Sequence, residues 1–108
     1  MTVTGASPVP QDVADELRRV VQRWQQLPLD HALRRVPAVR DVLARLVPLG
    51  GAGTGATAAP AATVPDLGPA VVMDQLTVLV YDACAADSSP ARADEVETLL
   101  TGLRRALL

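Results

Sequence analysis

The chain of 108 residues is long enough for one domain and too short for two, and with 49% apolar residues it can bury a core. Ten arginines, no lysine and twelve acids leave a net charge of −2, which excludes the global attraction to polyanions that many nucleic-acid binders use. A single cysteine excludes an internal disulfide and fits a reducing compartment.

The apolar set is almost entirely Ala, Val and Leu, with Trp24 and Tyr81 as the only aromatic residues and no Ile. Ala and Leu favour helix and aromatics favour strands, so composition points to helices packed at close range. Abundant Arg without Lys or Asn is the bias expected of a GC-rich bacterial genome, for instance an actinobacterial one. The opening MTVTGASPVPQD has neither a basic region nor an apolar run, so no signal peptide is expected. The most apolar stretch is 69–86, and its run around 71–86 is broken by Asp74 and Asp82 and falls short of the roughly 18 clean residues of a membrane span. A soluble, cytoplasmic protein is the expectation.

Residues 1–9 are unpatterned and predict a frayed tail. Pro10 suits the first turn of a helix, with Ser7 as a cap and Asp12, Asp15 and Glu16 near its positive end. Val13, Leu17, Val20, Val21 and Trp24 recur on one helical face, which predicts a helix over about 10–26. Leu27-Pro28-Leu29-Asp30 is a break, with Asp30 as the next cap. Pro37 then divides an apolar face of Leu33, Val36, Val39, Val42, Leu43, Leu46 and Val47. Residues 30–36 and 37–47 form either one kinked helix or two short ones, ended by Pro48. Residues 48–65, PLGGAGTGATAAPAATVP, carry no charge and little side-chain bulk and predict a flexible linker.

Beyond Asp66-Leu67-Gly68-Pro69, a helical wheel places Val72, Leu76, Leu79, Ala83 and Ala86 on one face. Val71 and Val78 widen the apolar surface, and Asp74, Thr77 and Tyr81 share a narrow polar stripe. Residues 76–81 are also rich in strand formers, but a strand would need a partner. The only nearby one requires an Asp74-Gln75 turn without Gly or Asn, so helix is preferred. Ser89 as cap and Pro90 as first residue start a last helix at about 90–107, with Val96, Leu99, Leu100, Leu103 and Leu107 inward and Arg104 and Arg105 near its negative end. The expectation is a single all-α domain, a small four-helix bundle of two helical hairpins joined by the Gly/Ala/Pro linker. The third helix is central and the packing up-down-up-down.

The glycines of 50–55 imitate a phosphate loop, yet a helix precedes them, an Ala-Pro stretch follows, and no Lys is present. Cys84 and His31 are the only thiol–imidazole pair. Asp82 beside Cys84 raises a thiol's pKa, and one His with one Cys falls short of a zinc shell. No cofactor or metal is expected. Asp74 and Asp82 are eight residues apart and about eighty degrees apart on a helical wheel, which suits structural or contact roles better than a paired-carboxylate active site.

Several arginines follow an acid by one turn (Asp15 before Arg18 and Arg19, Asp30 before Arg34, Asp41 before Arg45), the pattern of solvated helix faces. Arg23, Arg35 and Arg40 are left for the acidic second half. The function expected is a non-enzymatic protein–protein interaction module, a homodimer or an accessory subunit, with Val71, Asp74, Val78, Tyr81 and Asp82 as contact residues and leftover apolar surface at Val71, Val78 and Val80. One alternative is a helix-turn-helix DNA binder using Arg-rich residues 18–45, with 37–47 as recognition helix. Another is a small enzyme using Asp74 and Asp82.

Overall fold

The computed structural model describes residues 8–50 and 68–108, and among these every regular element is helical. The α-helices are α1 (Gln11–Gln26), α2 (Leu29–Leu46), α3 (Val72–Ala86) and α4 (Pro90–Ala106), with a 3-10 turn at Val47–Leu49. The helical bundle is as the sequence implies, and residues 76–81 are helix. Ser7 and most of the 48–65 linker lie outside the described residues. The first part of that linker is structured, because Pro48 and Leu49 belong to the 3-10 turn.

The helix starts follow two schemes. Ser89 caps α4 as expected: its hydroxyl oxygen accepts from the Arg92 N–H at 3.2 Å, with Pro90 first in the helix. Asp87 reinforces that turn by accepting from the Ser89 N–H at 2.8 Å, a bond that lowers the Asp87 pKa. By contrast α1 and α2 are preceded by Pro10 and Pro28, neither with a side-chain cap, so Asp30 is not the cap of α2. The proline carbonyls instead accept the first helical bonds, from Ala14 and Ala32, each at 2.9 Å.

α2 is one helix that runs through Pro37, with no break into two. Pro37 deprives the Leu33 carbonyl of its usual donor. Both residues are exposed, so water can satisfy that carbonyl, while Ala32, Val39, Leu43 and Leu46 hold the helix to the core from the other side. A recognition helix over 37–47 does not exist as a separate element.

The core joins Val13, Val20 and Trp24 of α1 to Val39, Leu43 and Leu46 of α2, Val72, Leu76 and Val80 of α3, and Val96, Leu100 and Leu103 of α4, with Leu107 just past its end. α1 packs chiefly on α4 and α2 on α3, whereas α1 and α2, neighbours in sequence, share little packing. α4, more than α3, is the hub. No helix among the described residues is long and apolar enough to cross a membrane.

The direction of the helices departs from up-down-up-down. At one end Gly50, just past α2, lies against Asp82 and Ala83 near the end of α3. At the other end Leu29 and Ala32, from the start of α2, line one groove with Met73, Asp74 and Thr77 from the start of α3. α2 and α3 therefore run parallel, and α4 returns antiparallel to both. The long stretch between Gly50 and Gly68 makes this possible: at about 3.3 Å per residue it can reach roughly 55 Å, more than twice the length of a helix of this size at 1.5 Å per residue.

The close seam at Gly50 makes a prediction. A Cβ there would stand 2.8 Å from the Asp82 Cβ and 3.0 Å from the Asp82 carbonyl carbon, so Gly50→Ala must push α2 and α3 apart. Chemical denaturation should show a loss of about 1–3 kcal/mol. Gly102, inside α4 with open space around it, should behave oppositely, Gly102→Ala gaining about 0.5–1 kcal/mol.

Candidate interaction surface

Two polar contacts hold the bundle in the arrangement that forms its surface. Arg92 sits in the first turn of α4, where a cation opposes the helix dipole. Its guanidinium is turned away from that end, donating to the Leu49 carbonyl at 2.7 Å and the Ala83 carbonyl at 2.8 Å. These carbonyls terminate the 3-10 turn after α2 and the last turns of α3, where helical acceptors lack donors and carry partial negative charge. One side chain thus ties the ends of α2 and α3 to the start of α4. Asp87 and Glu95 stand near it at 3.8 Å and 3.5 Å.

The second contact is the buried Glu16, only 4% exposed. Its carboxylate accepts from Arg104 of α4 and pairs with Arg19 at 3.3 Å. An ion pair across the halves was expected, but with arginines of the first half meeting acids of the second. The main bridge has the reverse polarity. Arg23 does cross to the second half, donating to the Leu107 carbonyl at 3.3 Å, whereas the Arg35 Nε is buried with no hydrogen-bond partner. The acid-then-arginine pairs at 15/18, 30/34 and 41/45 form as their spacing implies, and Arg19 takes Glu16 in place of Asp15. The Gln11 and Arg18 side chains donate to Asp15 and lower its pKa.

The parallel pair α2–α3 presents the outer face of interest. Leu29 and Leu33, one turn apart on α2, are 70% and 50% exposed, and Val78 and Tyr81 on α3 are 57% and 51% exposed. Beside them a groove of about 520 Å³ opens between α1, α2 and α3, with the nearly buried Trp24 and Met73 in its lining and Asp74 and Thr77 on its α3 side. Thr77 is satisfied within its own helix, its hydroxyl donating to the Met73 carbonyl at 2.9 Å.

Of the residues picked from the sequence, Asp74, Val78, Tyr81 and Asp82 are all exposed on α3. Val71 is half-buried in the turn that starts α3, its N–H donating to Gly68 at 3.3 Å. Val80, expected in the contact patch, is fully buried, because α3 is rotated so that Val80 and Cys84 face inward and Leu79 only partly so. Sequence reasoning missed Leu29 and Leu33 as surface residues, and it missed Arg92 and the burial of Glu16.

These groups do not assemble into a reaction centre. Asp74 and Asp82 are separated by roughly 12 Å along α3 at 1.5 Å per residue, and among the described residues neither has an ion-pair partner. Cys84 is buried, and burial raises its thiol pKa against the opposing pull of Arg92. No three His, Cys, Asp or Glu side chains among the described residues come together to hold a metal ion. No family model, curated protein or solved structure matches the chain.

The two polar ties can be weighed by mutation. Arg92→Ala leaves two carbonyls at the bundle end without a donor and should cost about 2–4 kcal/mol in urea denaturation. Glu16→Gln should cost about 1–3 kcal/mol, and the same change made together with Arg104→Met should cost less than the two single changes added, since they share one bridge.

Proposed function

We propose that the chain is a non-enzymatic protein–protein interaction module, working as a homodimer or as an accessory subunit, with the outer face of α2 and α3 as its docking surface. The observation that carries this reading is the exposure of Leu29, Leu33, Val78 and Tyr81 on two adjoining helices. Single exposed apolar residues are ordinary, but four large ones beside an apolar groove form the kind of patch that marks a contact site. None of the four belongs to the buried core, to which these helices contribute Val39, Leu43, Leu76 and Val80.

DNA binding has less support. α2 offers no separate recognition helix, and Arg18, Arg34 and Arg45 are each engaged by a carboxylate on their own helix. The use of Asp74 and Asp82 as a catalytic pair is disfavoured by their separation along α3.

The test is the double substitution Leu33→Asp with Tyr81→Arg. Surface changes of this type leave stability within about 0.5 kcal/mol, so the helical circular dichroism spectrum and the melting temperature should be nearly unchanged. Chemical cross-linking of the tagged chain in its native cells should give products, to itself or to another protein, that the double variant loses. Products that persist in the folded variant, or none from the unaltered chain, contradict the proposal.

A further inference from the structure

We infer that residues 8–50 and 68–108 are two complementary recognition units, and that the inner surface of the first accepts the second half of another copy as it accepts the second half of its own chain. The inference goes beyond the docking face of α2 and α3 and does not depend on it.

The contacts that build the fold lie between the halves. α1 and α2, joined in sequence, share little packing; α1 is held chiefly by α4, and α2 by α3 and α4. The polar ties follow the same division. Glu16 accepts from Arg104, the Leu49 carbonyl from Arg92, and the Leu107 carbonyl from Arg23, each with one partner in either half. The close seam of Gly50 on Asp82 and Ala83 crosses the division as well. Val20, Leu43 and Leu46 of the first half share one buried cluster with Leu76, Val80 and Leu100 of the second. Each described half has about 40 residues, too few to bury a sufficient core unaided. Neither half therefore has a fold of its own to return to, and each is completed by the other.

The covalent connection is no part of this fit; it sets how often the halves meet. A tether of this kind gives an effective concentration on the order of millimolar, so at micromolar chain the half in cis wins and the closed chain prevails. A second copy wins where pairing in cis fails. The exchange is then that of a domain swap, in which the contacts are unchanged and only the chain that supplies them differs. For a domain of ordinary stability, the affinity between the halves without the tether is that millimolar value multiplied by the unfolding constant, which is about micromolar or tighter.

Two full-length variants read this directly. In one, Leu43→Asp with Leu46→Asp puts two carboxylates into the core side of the first half; in the other, Leu76→Asp with Leu100→Asp does the same to the second. Each alone should lose most of its helical circular dichroism. Mixed at concentrations up to about 100 µM, they should recover about half of the unaltered chain's helical signal, because one intact half in each chain finds its complement in the other. Sedimentation should give twice the 11.3-kDa chain mass. Arg104→Met, added to the chain whose second half is intact, leaves Glu16 of the other chain buried without its main partner and should weaken the complex about tenfold or more. The same change in the chain whose second half is already disabled should have no effect. A mixture whose spectrum is the sum of its parts overturns the inference. A variant that stays helical alone, which would mean a half that folds unaided, overturns it too, as does an Arg104→Met effect that is equal in the two chains.

Discussion

The position of α3 depends on Arg92. Its guanidinium fills the space between the last carbonyls of the 3-10 turn and those near the end of α3, and no other described side chain donates to Leu49 or Ala83. Helix ends of like polarity repel when brought together, since each carries partial negative charge. A parallel pair necessarily brings two such ends side by side, and a cation between them offsets that cost. Gly50 completes the arrangement by letting the backbone after α2 touch α3 where any side chain would collide.

The parallel pairing decides what the surface looks like. In an up-down-up-down bundle the start of α2 would lie beside the end of α3, and Leu29 would stand near Asp82 and Ala85. Here the starts lie together, so Leu29 shares its groove with Asp74 and Thr77. The buried Glu16–Arg104 pair fixes α1 on α4 across the opposite side of the molecule, where acid and base satisfy each other. The two faces therefore differ in kind: one is closed by an internal ion pair, and the other carries apolar groups and carboxylates without an ion-pair partner among the described residues.

Much of the fold is legible in the sequence. The 3.6-residue recurrence of Val13, Val20 and Trp24, and of Val96, Leu100, Leu103 and Leu107, defines α1 and α4 because each has a single apolar face. Ser89-Pro90 marks a helix start through a cap whose chemistry is local. The rotation of α3 is harder to read, because a helix apolar over most of its girth fixes its inward side only by what packs on it; the sequence leaves Val80 on the contact side, and it lies in the core. Helix direction is not encoded locally at all, since an uncharged Gly, Ala, Thr and Pro stretch accommodates a tight return or a long crossover equally well. Two missed residues did leave signals. Glu16 follows Val13 by three positions and precedes Val20 by four, which puts a carboxylate on the apolar face, and Arg92 is a cation in the first turn of a helix, where the dipole disfavours one. A charge at odds with its local position is held by something distant.

The parallel course of α2 and α3 is the claim on which the docking face stands, and a distance between the two helix starts measures it most directly. Spin labels at Asp30→Cys and Asp74→Cys, with the buried Cys84 left in place and the labelled chain diluted into unlabelled chain, report that distance by pulsed dipolar spectroscopy. A helix of this length spans about 22 Å, so a parallel pair should give a distance below about 20 Å, and an antiparallel pair about 30 Å. The shorter distance is the one predicted here; the longer one would contradict the topology and the surface built on it.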